Sequence, residues 1–220
     1  MAHDLEPVTR IFLVFFPFAL LHSVTVSHRF KDLCTRAFGR TFMAVWYRFL
    51  YTLVSIVTVA IAFKLMRQVP DRHLWTAPAV LLWPMYGLQA GAAVFGAMVF
   101  QHLDGLEFLG VKQIWRYLVN GEVGGNLEGL TLQGLITTGV YGIVRHPLYV
   151  AGIVFVTFSP HVTVNGLTFT VLADLYFLFG MFIEERRFVK IFGDEYREYM
   201  KQVPRMVPRI SSLAPRSPRR

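Results

Sequence analysis

Windows of about 17 or more almost uncharged residues recur along this chain, and that is the length a helix needs to cross the hydrocarbon of a bilayer. They lie at residues 11–27, 46–63, 76–100, 147–163 and 167–183. Composition agrees. Of 220 residues, 54% are hydrophobic and 16% charged, where an ordinary soluble domain carries about 25% charged residues. The chain therefore reads as all-α and polytopic, with about five transmembrane helices in a single domain over 1–210 and a disordered basic tail at 211–220.

The net charge of +8 does not point to nucleic acid, because the Lys and Arg flank apolar spans, as the positive-inside rule requires. The single cysteine, Cys34, excludes an intrachain disulfide and a cysteine-rich metal site, and reads as a free thiol in a basic loop after the first span. Before Ile11 stand Asp4 and Glu6 with only Arg10 as a strong base, and positive charge follows the apolar run. That is the wrong polarity for a cleaved signal, so a retained first span is expected. With five spans, Arg10, Lys64, Arg67 and Arg72 fall on one side and the other eighteen Lys and Arg on the opposite side. This distribution places the C-terminus in the cytoplasm and favours a bacterial inner membrane.

Along the chain, Pro17 predicts a kink in the first span, and Trp46, Tyr47 and Tyr51 an aromatic belt at the start of the second. In the third, Gly87, Ala90, Gly91, Ala93, Gly96 and Ala97 form a small-residue stripe that lets another helix approach. Hydropathy falls over 101–144, where a short interfacial helix near Val111 to Leu118 and a mobile turn at Asn120 to Gly125 are expected. The last two spans form a hairpin turning near Ser159 to Gly166.

This hairpin would bring two polar clusters to one membrane face. Pro147 suits the first turn of a helix and holds His146 out of helical geometry, leaving Arg145 and His146 beside a helix start. They suit either an anion or a plain interfacial anchor. Glu184 and Glu185 end the last span, where two adjacent carboxylates are costly; they are either neutralised by Arg186 and Arg187 or turned inward to a polar ligand. Asp174, near the middle of that span, is either a functional intramembrane acid or, the favoured reading, hydrogen-bonded to His22, Gln89 or His102. After Arg187 an amphipathic segment carries Tyr196, Tyr199 and Val203 on its apolar face, as an anchor or as a cap folded back over a cofactor. The spacing of His102, Asp104 and Glu107 matches no metal motif, and no strand leads into a GxGxxG turn. Any nucleotide cofactor is bound in some other way.

The motif G-V-Y-G-I-V-R-H-P-L-Y, followed by E-E-R-R-F-V-K-I-F-G-D-E-Y-R-E-Y-M-K-Q-V-P-R-M-V-P, resembles the integral-membrane methyltransferases that include isoprenylcysteine carboxyl methyltransferase and the phospholipid N-methyltransferases. It covers about the last third of the chain. L-H-S-V-T-V-S-H-R-F-K, H-L-D-G-L-E-F-L-G-V-K-Q-I-W and S-P-H-V-T-V-N-G are similar to the bacterial methanethiol S-methyltransferase branch. An additional N-terminal span of that branch is not found in this sequence, and Asp174 stands where an uncharged residue is expected. The resemblance implies S-adenosylmethionine bound at the cytoplasmic ends of the hairpin, under an amphipathic cap. It implies cofactor-binding roles for His146, Tyr149, Glu184, Glu185, Tyr196, Tyr199 and Arg205, with Arg145 meeting a carboxylate and His146 the nearest base for a thiol. The acceptor it implies is a small or membrane-dissolved thiol. A lipid amine, a prenylcysteine carboxylate and an NADPH-dependent membrane reductase of similar architecture are the alternatives. Neither a metal nor nucleic acid is expected, and oligomeric state is left open.

Overall fold

The computed structural model describes residues 2–124 and 134–208. Gly125 of the expected turn and the expected disordered tail at 211–220 lie outside the described residues. Ten α-helices and two short strands are described: α1 Ala2–Val26, α2 His28–Val45, α3 Tyr47–Met66, β1 His73–Thr76, α4 Ala79–Met98, α5 Gly105–Leu109, α6 Val111–Asn120, α7 Val140–Ile143, α8 Pro147–Thr157, β2 His161–Thr163, α9 Val164–Phe192 and α10 Asp194–Gln202. The architecture is that of an all-α polytopic membrane protein. Among the described residues four helices are long and apolar enough to cross a membrane, Glu6–Val26, Tyr47–Met66, Ala79–Gln101 and Val164–Phe192, and α8 is a shorter apolar helix.

The chain divides into two compact units. The first comprises Met1–Trp75, Leu103–Leu132 and His161–Leu172. In it Ile11, Ala62, Met66 and Val69 form a buried cluster, joined by Phe169 from the start of α9. Polar atoms within its spans are matched to each other: His22 Nδ1 lies 3.0 Å from the Ser55 hydroxyl, and the Tyr51 hydroxyl 2.8 Å from His22 Nε2. Residues 28–45, expected as a basic loop, are helical. Ser27 caps this helix by accepting from the Phe30 N–H at 3.3 Å. Phe30, Cys34, Phe42 and Met43 give it an apolar side that packs with Tyr47, an amphipathic pattern masked in the sequence by the bases between them. Gly39, at φ 83°, breaks its course.

Arg48 docks α5 onto the start of α3, its Nε donating to the Phe108 carbonyl at 2.7 Å and its guanidinium lying 4.6 Å from the Phe108 ring centre. Gly110, at φ 86°, makes the turn into α6; a Cβ there would come within 2.3 Å of the Phe49 nitrogen. Gly110→Ala is accordingly expected to cost about 3 kcal/mol through left-handed strain and overlap. A melting temperature in detergent equal to wild type would contradict that.

The second unit comprises Thr76–His102, Gln133–Pro160 and Ala173–Arg220. Here α4 lies antiparallel to α8. The small-residue stripe on α4 divides: a Cβ on Gly96 would come within 3.1 Å of Ala151, while Gly87 and Gly91 have nothing within 4 Å. Close approach thus uses one end of the stripe only. α8 is 11 residues long, about 16 Å, because Pro160 disfavours helix in the residue before it and the chain runs on extended into β2. Gln89 Nε2 donates to the Phe155 carbonyl at 2.8 Å, satisfying one of the last carbonyls of that helix. The last helix does not stop near Ile183. Glu184 to Lys190 are good helix formers that carry α9 on to Phe192. Gly193, at φ 56°, then turns the chain into α10.

Candidate functional site

All eight residues marked out by the sequence lie in the second unit. His146 adopts φ −125° and ψ 64°, outside helical geometry, and Pro147 opens α8 behind it. This break turns Arg145 and His146 toward Glu184 and Glu185 of α9.

Glu185 is the hub, with only 4% of its surface exposed. Its Oε1 accepts from Arg145 Nε at 2.9 Å and lies 3.3 Å from His146 Nε2, and its Oε2 accepts from Arg205 Nη2. Arg145, 8% exposed, also donates to the last turn of α10 and to the residues just after it. Its Nη1 donates to the carbonyls of Met200 at 3.0 Å and Val203 at 2.5 Å, and its backbone N–H donates to Pro204 at 3.0 Å. One buried guanidinium therefore ties Glu185 of α9 to Met200 and Val203.

His146 is held between two carboxylates, with Nδ1 3.3 Å from Glu184 Oε2 and Nε2 3.3 Å from Glu185 Oε1. Both ring nitrogens face carboxylate oxygens, an arrangement that favours the protonated ring. Burial opposes the charge, but the hydrogen bonds and the fields of Glu184 and Glu185 outweigh it and raise the pKa above the ordinary 6.5. A raised folded-state value gives stability that is complete below about pH 6.5 and is lost as pH climbs through the raised value. The melting temperature of wild type should fall over that upper range, and that of His146→Gln should not.

Aromatic side chains complete the site. The Tyr149 ring stands edge-on to His146 at 5.6 Å and to Phe177 at 5.9 Å, and it packs on Gly180, where a Cβ would come within 3.2 Å. Its hydroxyl faces Glu184. The Tyr199 hydroxyl donates to the Tyr141 carbonyl at 2.6 Å, joining α10 to α7. Tyr196 is buried against Phe188 and Tyr199, and its hydroxyl has no hydrogen-bond partner among the described residues, with Arg145 and Glu185 close by. Burial, then the field of Glu185, pushes that hydroxyl upward in pKa. The Arg205 guanidinium lies 4.4 Å from the Phe182 ring centre.

Sequence reasoning missed Tyr141, Phe182 and the carbonyls of Met200, Val203 and Pro204. Tyr141 stands inside the quoted motif, so it was within reach: its hydroxyl is pushed up to about 12 by burial and then by Glu184. Backbone carbonyls leave no signature in a side-chain pattern. Asp174 does hydrogen-bond across helices, but its partner is Thr157, whose hydroxyl donates to Oδ2 at 2.8 Å. Thr157 is the last residue of α8. Asp104 instead caps α5 and pairs with Lys112, and Glu107 pairs with Arg116 at 2.9 Å. His102 packs on Gly139. Among the described residues no group of three or more His, Cys, Asp or Glu is placed to hold a metal ion.

The site thus offers a half-buried carboxylate on Glu184, an imidazole held between two carboxylates, a buried phenol and a closing segment. Those groups suit a polar ligand with hydroxyls and charge, held out of water.

A family model described as NnrU protein matches residues 10–210. The chain is 29% identical over 198 residues to methanethiol S-methyltransferase of Pseudomonas deceptionensis, covering 88% of this chain and 70% of that protein. It is 27% identical over 198 residues to methanethiol S-methyltransferase of Mycobacterium tuberculosis, covering 87% and 74%. A stretch of 79 residues is 34% identical to protein-S-isoprenylcysteine O-methyltransferase of Schizosaccharomyces pombe, covering 34% of each. No solved structure matches.

Proposed function

The chain belongs to the NnrU protein family, and from that membership and its similarity to methyltransferases along most of its length we propose that it is an integral-membrane enzyme transferring a methyl group from S-adenosylmethionine to a small or membrane-dissolved thiol. The observation that carries this reading is the convergence of His146, Glu184, Glu185 and Arg205 at one end of the α8 and α9 pair, beneath α10. S-adenosylmethionine supplies a methyl already activated on a sulfonium. The protein has to hold it, align the acceptor and keep water away. Glu184 is the group to accept from ribose hydroxyls, with Tyr149 and Tyr196 beside it. Arg145 and Arg205 keep the closing segment on Glu185. The C-terminus lies in the cytoplasm, where the methyl donor is, and the membrane is a bacterial inner membrane.

Calorimetry on the detergent-solubilised chain tests the site. S-adenosylhomocysteine should bind, and Glu184→Gln and His146→Ala should each weaken it by about tenfold or more. Affinity unchanged in both variants removes these residues from the site, and binding of NADPH in place of S-adenosylhomocysteine makes the chain a reductase. The 79-residue match to an isoprenylcysteine methyltransferase favours one second reading, a prenylcysteine carboxylate as acceptor.

A further inference from the structure

A thiol with an unperturbed pKa of about 8.5 is mostly neutral at pH 7, so methyl transfer to it needs a proton acceptor. His146 does not serve. Each of its ring nitrogens lies 3.3 Å from a carboxylate oxygen, so a thiol would have to displace Glu184 or Glu185 to reach either one. Glu185 is taken by Arg145, His146 and Arg205. Asp174 bonds Thr157, ten residues and about 15 Å down α9 from Glu184. The unit holds one other histidine, His102.

His102 follows the short 3-10 turn that ends α4. Its Nε2 lies 1.9 Å from where a Cβ on Gly139 would stand, and Gly139 holds φ 59° and ψ −132°, so only glycine admits the ring there. Gly139 begins the turn through α7 that ends at Arg145 and His146. The heights agree: Gly96 faces Ala151 across the antiparallel pair α4 and α8. His102 lies beyond Gly96 and His146 before Ala151, so both stand at the same end of that pair. Among the described residues no side-chain hydrogen bond or ion pair engages the His102 ring.

We propose that His102 is the base that takes the proton of a thiol acceptor, an assignment that rests on the methyltransferase reading above. As the acceptor S–H bond breaks, its proton passes to a ring nitrogen of His102 and its electron pair stays on sulfur. The acceptor sulfur forms its bond to the methyl carbon while the donor sulfonium–methyl bond breaks, its pair going to the donor sulfur. The products are a thioether and S-adenosylhomocysteine, and the imidazolium returns its proton to water.

His102→Gln separates this role from packing. With an alkyl thiol, mostly neutral at the assay pH, kcat should fall about 100-fold, the scale of general-base catalysis. With an aromatic thiol already ionised it should fall less than about threefold, since no proton has to be removed. S-adenosylhomocysteine affinity should stay at the wild-type value. An equal fall with both thiols, or no fall with either, overturns the assignment. Should the variant not fold, wild-type rates across a series of thiols decide: rates that vary far less than the thiolate fraction support His102, and rates proportional to it do not. A wild type that methylates a prenylcysteine carboxylate and no thiol removes the thiol reading and the base with it, a result distinct from either variant outcome.

Discussion

Glu185→Gln should abolish measurable binding of S-adenosylhomocysteine and lower the stability of the chain by about 3–5 kcal/mol, the cost of breaking a buried ion pair from one side. The carboxylate is buried and answers three cationic groups at once, Arg145, His146 and Arg205. A glutamine keeps the shape and loses the charge, so three cations face one neutral amide, whose NH2 end is a donor turned on donors. His146 then loses one of the fields that hold it protonated, and Arg205 loses the partner that draws the end of the chain onto α9. Glu184→Gln, at a half-buried carboxylate, should weaken binding and leave the melting temperature near wild type. Equal melting temperatures for the Glu185 variant and wild type would remove Glu185 as the hub.

Arg145→Lys should free residues 200–205. The guanidinium donates along two edges, to Glu185 through Nε and to Met200 and Val203 through Nη1. A single ammonium cannot reach both sets, so the substitution keeps the charge and loses the tie. Trypsin should then cut after Lys201 and Arg205 about tenfold faster than in wild type, as local opening of a segment predicts. Affinity for S-adenosylhomocysteine should drop with it, because Arg205 leaves Glu185. A cleavage rate equal to wild type would show that α10 holds the segment without Arg145, through the buried cluster of Tyr196, Tyr199 and Val203.

The meeting of Arg145 and His146 with Glu184 and Glu185 was legible in the sequence because two local rules fix it. Pro147 sets the helix start, and the apolar length between the clusters returns the chain to the same face. Other features depend on partners that a one-dimensional pattern does not carry. Residues 28–45 look like a loop by their charge, and their apolar side becomes visible only once Tyr47 is folded against Cys34 and Met43. Asp174 reads as an intramembrane acid in need of a partner, but Thr157 could not be chosen without the packing of α8 against α9. Arg145 reads as an anion binder or an interfacial anchor, because Met200, Val203 and Pro204 engage it through backbone carbonyls that leave no side-chain pattern. The contact of His102 with Gly139 joins two segments that the sequence separates by a long polar connection.

The most direct measurement is transfer of labelled methyl from S-adenosylmethionine by the purified wild-type chain in lipid vesicles, with a thiol, a lipid amine and a prenylcysteine each offered as acceptor. A labelled thioether and a matching yield of S-adenosylhomocysteine are expected. No methylated product with any of the three, together with no binding of S-adenosylhomocysteine, would contradict the methyltransferase reading.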